Sequence, residues 1–124
     1  VIGDTARGVF QGKIVVQPDA QKTDARMMTK GLLLSEAAEF DAKPELEIFA
    51  DDVQCAHGAT SGELDETHLF YLMSRGIPEM QARAMLVGAF IAEAADRIAD
   101  ERLREIVAER LTSWFGETGE KTDA

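Results

Sequence analysis

Cysteine, proline and cationic residues are scarce in this sequence. The 124 residues include one cysteine, three prolines and 13 Lys and Arg against 23 Asp and Glu, for a net charge of −10. A single cysteine cannot form an internal disulfide, which fits a reducing compartment, so we expect the cytoplasm. Nucleic-acid binders need a surplus of cations to neutralise phosphates, and anionic membranes attract cations too. The charge balance therefore argues against both kinds of partner.

Long apolar runs and common catalytic signatures are also absent from the sequence. No apolar run is long enough to predict a bilayer-spanning helix. We find no P-loop, no GxSxG, no GxGxxG before a helix and no CxxC. The chain starts at Val1 without an initiator Met or a signal-peptide pattern, which leads us to expect a fragment or a processed product.

The period of the apolar residues changes near Gly62. Before this point the apolar residues form short, β-branched or Leu-rich runs, which favour strands. Ile14, Leu32 and Ile48 follow one another at nearly equal intervals along the chain. This spacing predicts stacked coils of a parallel β-helix, one run to each coil. An antiparallel meander is the alternative, and a hexapeptide-type β-helix transferase is weaker because no strict hexad occurs.

After Gly62 the apolar period becomes helical, and the capping residues predict about three helices. Asp65 is a candidate N-cap, Gly76 a C-terminal stop, Pro78 a first helical residue and Asp100 a further N-cap. The apolar stripe of the second helix comprises Ala82, Met85, Leu86, Ala89, Phe90 and Ile98, and that of the third comprises Leu103, Ile106, Val107, Leu111 and Trp114. The predicted fold class is thus mixed β then α: terminal parallel β-helix coils (1–62), a small C-terminal helical subdomain (63–115) and a disordered tail (116–124).

One constellation in the predicted strand region could carry chemistry. Cys55 and His57 stand at positions i and i+2, so they would share one face of a strand. A thiolate and an imidazole are good ligands for zinc or iron, but two ligands do not complete a site. In the alternative interpretation, Cys55 is a small buried hydrophobe and His57 is a hydrogen-bonded residue at a strand end.

The segment around these two residues resembles the SufB/SufD family of the SUF iron–sulfur cluster assembly machinery. The sequence from Lys43 to Thr60, KPELEIFADDVQCAHGAT, is similar to a family pattern that reads KPxLEIxADDVKCSHGATxG. Gln54, Ala56 and Ser61 depart from the residues that are common in the family at these positions. Further similarity lies at residues 7–16, 20–25, 64–65 and 70–77, and in all it covers about residues 6–110. The Cys-x-His-Gly-Ala-Thr run favours the SufD branch over the SufB branch.

The resemblance implies a non-catalytic scaffold subunit without enzymatic activity of its own. It implies pairing with a SufB-like subunit through the β-helix ends and docking of a SufC-like ATPase on the C-terminal helices. His57 maps onto a functionally important histidine of the family, and Cys55 is the adjacent candidate for metal binding or cluster assembly. We expect no tightly bound cofactor, but transient iron or a nascent iron–sulfur cluster in the full complex; whether a flavin belongs to that complex stays open.

The apolar helical stripes predict where the ATPase would dock. The candidate docking residues are Phe90, Leu103, Ile106, Val107, Leu111 and Trp114. An open β-helix edge also predicts a homodimer of the chain. The alternative function is a metal-dependent enzyme or metal-binding domain in which the Cys-x-His pair is joined by Asp51 or Asp52.

Overall fold

The computed structural model describes the backbone of residues 1–119 and the side chains of residues 1–111 and 113. The chain divides into two compact units, of which the first is Val1–Glu63 and the second begins at Leu64. The first unit contains strands and the second contains helices, so the predicted order of β followed by α is confirmed.

Four strands in the first unit pair in parallel. They are β1 (Arg7–Val16), β2 (Asp24–Leu32), β3 (Glu39–Ile48) and β4 (Gln54–Gly62). Strand β1 pairs with β3 and β2 pairs with β4, which gives two small two-stranded sheets. This parallel pairing excludes the antiparallel meander.

The predicted stacking of the apolar runs is wrong. Ile14 pairs with Leu46, Val16 with Ile48 and Leu32 with Gly62. Each strand is thus in register with the strand after next, and the intervening strand belongs to the other sheet. Each repeat therefore contains two strands, one in each sheet. The near-equal interval between successive apolar runs measures the step from one sheet to the other and not a full turn.

The two sheets pack face to face through alternating side chains. Along β1 and β3, exposed residues alternate with half-buried ones, and the exposed members of this alternation are charged in β3 but include Val9 and Val15 in β1. Glycine leaves room for large side chains of the opposite sheet: a Cβ on Gly12 would lie 2.6 Å from the sulfur of Met27. A Cβ on Gly31 would meet the ring of Phe40. Burial in this unit is deepest at Val16, which is 2% exposed.

Polar contacts join the corners of successive repeats. The corner of residues 17–23 lies against the corner of residues 49–53. The backbone N–H of Lys22 donates to the carbonyl of Asp52 at 2.6 Å, and the side-chain oxygen of Gln21 accepts from the Asp52 N–H at 2.9 Å. Lys22 has a positive φ of 65° and forms an ion pair with the Asp52 carboxylate.

The second unit contains helices α1 (Glu66–Ser74), α2 (Glu79–Ala95) and α3 (Glu101–Gly119). The predicted caps are confirmed: Asp65 Oδ1 accepts from the N–H of Thr67 at 2.8 Å, and Asp100 Oδ1 accepts from the N–H of Leu103 at 2.9 Å. Gly76 has a φ of +85°, a conformation that L side chains rarely adopt. Helix α2 packs against both α1 and α3.

Three details of the helical prediction differ from the structure. Pro78 is the N-cap of α2 rather than its first residue. Ile98 lies beyond α2 because the helix ends at Ala95. Helix α3 includes residues 116–119, which the sequence pattern assigns to a tail, and residues 120–124 lie outside the described residues. Across the described part of the chain, no helix combines the length and apolar character needed to cross a membrane.

Candidate functional site

Strand β4 presents Cys55 and His57 on the inner face of its sheet. Cys55 is in register with Ala25, and His57 is in register with Met27. Residues in register on parallel strands point to the same face, and Met27 points inward because its sulfur packs over Gly12 of the opposite sheet. Cys55 is half-buried, whereas His57 is exposed although it shares this inner face. Cys55 and His57 therefore lie where the inner face becomes accessible to solvent.

The outer edge of β4 has backbone groups without strand partners. The N–H of Gln54 donates to Thr23 at 2.8 Å, and the carbonyl of Gly62 accepts from Leu33 at 2.8 Å, so the even-numbered residues of β4 face β2. The odd-numbered residues, Cys55, His57, Ala59 and Ser61, consequently direct their N–H and C=O groups to the other edge. Among residues 1–119, no strand pairs with that edge.

The site is chemically incomplete within the described residues. A thiolate and an imidazole leave two positions of a tetrahedral ion open. No group of three His, Cys, Asp or Glu side chains in the part of the chain that the structure describes could hold a metal ion. The structure therefore does not bring Asp51 or Asp52 to the Cys-x-His pair, because Asp52 is directed to the ion pair with Lys22.

The predicted ATPase-docking residues differ in exposure. Leu103 is 51% exposed and Ile106 is 54% exposed on α3. Phe90, Val107 and Leu111 are half-buried. The side chain of Trp114 lies outside the described residues.

Sequence reasoning missed a more exposed apolar surface on α1 and at the start of α2. Phe70 is 73% exposed, Tyr71 is 56% exposed and Met80 is 77% exposed. The guanidinium of Arg75 lies 5.2 Å from the centre of the Tyr71 ring, within cation–π range. The signal was available: Leu69 and Leu72 occupy the packed face of α1, so residues 70 and 71 must point outward.

Comparison with known proteins identifies the class to which this chain belongs. Residues 1–90 match the family model described as "SUF system FeS cluster assembly, SufBD core domain". This match covers more than half of the chain. The chain belongs to this family.

Within the family, the similar proteins include ones named SufD. The chain is 46% identical over 111 residues to the iron-sulfur cluster assembly protein SufD of Escherichia coli (strain K12), covering 90% of this chain and 26% of that protein. It is 36% identical over 105 residues to the SufD of Bacillus subtilis (strain 168), covering 85% of this chain and 24% of that protein. It is 41% identical over 112 residues to the SufBD family protein slr0076 of Synechocystis, covering 87% and 25%. The chain thus spans about a quarter of the length of these relatives.

Proposed function

We propose that this chain acts as part of a SufD-like, non-catalytic scaffold subunit in iron–sulfur cluster biogenesis. The observation that carries the proposal is the family match together with the position of Cys55 and His57 at a strand edge that is open within residues 1–119. The single free cysteine suits a reducing compartment such as the cytoplasm.

In this proposal the two sheets are the last turns of a longer parallel β-helix. The pairing of β1 with β3 and of β2 with β4 defines one repeat of two strands, and the two repeats stack without a change of face. Parallel two-stranded sheets seldom occur alone, because their stability requires further strands or covering layers. The relatives, of which this chain spans about a quarter, have the additional length that such turns need.

A SufB-like subunit would pair with the open edge of β4. The unpaired groups of Cys55, His57, Ala59 and Ser61 suit main-chain hydrogen bonding to an added strand. The outer edge of β3 is less continuous, because its even-numbered residues face that edge and Pro44 has no N–H to donate. Strand addition at β4 would complete the inner face beside Cys55 and His57.

The partner strand would then supply the ligands that this chain lacks. Cys55 and His57 would contribute a thiolate and an imidazole to iron or a nascent cluster, which is the cargo of the assembly and not a resident cofactor. A site divided between two chains forms only when both are present. Binding of iron by this chain alone should therefore be weak.

The test of this role is His57→Ala in the full-length protein, with His68→Ala as the matched control. His68 is the other histidine of the chain, and it is exposed in α1. We expect His57→Ala to impair iron–sulfur enzyme activities in cells, with fold and expression unchanged, and His68→Ala to have no effect. Normal activities in the His57→Ala strain would remove the functional role of this residue.

A SufC-like ATPase would dock on the helical unit. Leu103 and Ile106 are the exposed members of the predicted docking stripe, at positions i and i+3 on one face of α3. Replacing either by Asp should weaken ATPase binding by about 2 kcal/mol or more, as for an interface hot spot. Calorimetric titration would measure this, with Met80→Asp as a control at a more exposed apolar residue on α2. If all three variants bind like the wild type, the ATPase docks elsewhere.

Two further possibilities have their own tests. A metal-dependent enzyme would bind one equivalent of metal tightly in a single chain, which equilibrium dialysis with Zn²⁺ and Fe²⁺ would reveal. The open β4 edge could also pair with a second copy, so we propose a homodimer in the absence of the SufB-like subunit. Light scattering that finds a monomer at high concentration would contradict the homodimer.

A further inference from the structure

We propose that Met27, Cys55 and His57 together form a binding site for a soft monovalent metal ion, Cu(I). This inference goes beyond the proposed function, although it uses two of the same side chains. It adds a third donor, the thioether of Met27, which changes the class of metal that the site would select.

Strand register brings the three donors to one face. Met27 is the in-register partner of His57, so their Cα atoms are about 4.8 Å apart across the two strands. Cys55 precedes His57 by two positions on β4, about 6.6 Å away on the same face. Side chains of this length can converge on one ion from such separations. The sequence spacing alone does not show this, because Met27 and His57 lie far apart along the chain.

The packing holds Met27 on this inner face. Its sulfur fills the space above Gly12, where a Cβ would lie only 2.6 Å away. The neighbouring Met28 points to the other face, where it packs on Gly58 and is 54% exposed. Met27 is half-buried, so its sulfur lies among apolar groups and not in bulk water. Met28 therefore serves as the control for a substitution of Met27.

The chemistry of the donor set indicates the ion. Thiolate and thioether sulfur are soft ligands that suit Cu(I), whereas the usual protein ligands of Zn²⁺ are Cys, His, Asp and Glu and not Met. Cu(I) is satisfied by three ligands, so a set of two sulfurs and one imidazole nitrogen completes its coordination without a partner chain. The same set leaves a position of a tetrahedral Zn²⁺ ion open.

The test is anaerobic titration of Cu(I) into this chain in competition with bicinchoninate, followed by absorbance. We expect one equivalent of Cu(I) to bind, and Met27→Leu to weaken binding at least tenfold, while Met28→Leu leaves it unchanged. Leu has nearly the volume of Met, so the fold should persist, which circular dichroism would verify. Affinity for Zn²⁺ should be the same in the wild type and the Met27→Leu variant.

Unchanged Cu(I) affinity in Met27→Leu, or an equal loss in Met28→Leu, would overturn the proposal. X-ray absorption spectroscopy of the wild-type Cu(I) complex provides an independent measurement that does not depend on a variant. Two sulfur ligands and one nitrogen are expected, and a single sulfur ligand would contradict the site. The copper site is judged by the Cu(I) affinity of Met27→Leu in vitro and the His57 role by cluster assembly in His57→Ala cells, so failure of one and failure of the other are distinguishable.

Discussion

Gly31→Ala should destabilise the β-strand unit by overfilling the space between the two sheets. A Cβ at residue 31 would lie 2.6 Å from Cγ and 3.0 Å from Cε1 of Phe40. Carbon atoms normally approach to about 3.5–4.0 Å, so the ring must move by about 1 Å. An aromatic ring on a strand of the opposite sheet is not a flexible chain end, and overpacking of this kind costs about 1–3 kcal/mol. We expect a loss of about 2 kcal/mol, or a change of about 30-fold in the unfolding equilibrium.

The assay must measure the stability of the strand unit and not that of the helical unit. Trp114, the single tryptophan, belongs to α3, so its fluorescence follows the helical unit. Amide hydrogen exchange of β2 and β3 measures the opening free energy of the strand unit directly. Gly62→Ala is the matched control, because an added Cβ there meets nothing within 4 Å, and it should change stability by no more than about 0.5 kcal/mol.

A second substitution, at Phe40, should relieve the overpacking. Phe40→Ala removes Cγ and the ring atoms that the new methyl group would meet, so the double variant should be more stable than the sum of the two single effects by about 1 kcal/mol or more. Equal exchange rates in Gly31→Ala and Gly62→Ala, or strict additivity with Phe40→Ala, would refute the proposed packing.

Two predictions concern the helical unit. Gly88→Ala should stabilise α2 by up to about 1 kcal/mol, because a Cβ at this helical position meets nothing within 4 Å. Urea unfolding followed by helical circular dichroism measures the change. A loss of stability would contradict the open space at this position. The N–H groups of His68 and Thr67 lower the pKa of Asp65 below its ordinary value of about 3.9, so the stabilisation by this charged cap is complete above that value and is lost as the pH falls through the folded-state pKa. Thermal melts of Asp65→Asn should therefore depend less on pH between about 5 and 2 than those of the wild type, and identical acid profiles would contradict the cap's role.

Local signals predicted the helices well. Asp65, Gly76 and Asp100 act through hydrogen bonds and backbone angles within a few residues of themselves, so their roles can be inferred from sequence. The stacking of the strands depends on which distant segments share a sheet. The apolar runs located the strands. Their spacing alone does not distinguish a β-helix turn that contains one strand from a β-helix turn that contains two. The error in stacking Ile14 on Leu32 follows from that ambiguity.

The candidate site, like the fold, could be predicted from the sequence only in part. The period of two along a strand was enough to place Cys55 and His57 on one face. The position of Met27 beside His57 depends on the register of β2 with β4, which only the structure gives. The exposure of Phe70 and Tyr71 can be inferred from helical geometry. The docking surface was nevertheless predicted on α2 and α3, because their apolar stripes are longer.

The two corners differ in length, since the first takes up residues 17–23 and the second only residues 49–53, while the strands that they join keep a constant register. The extra residues of the first corner lie at the surface, close to Lys22, whose φ is positive. Chain length can thus vary at a corner without turning inner residues outward, whereas one residue inserted within β4 would reverse the faces of all residues after it. The corner at 17–23 is therefore the place to graft an epitope or a fluorescent reporter, which would follow assembly in cells while Cys55 and His57 keep their positions.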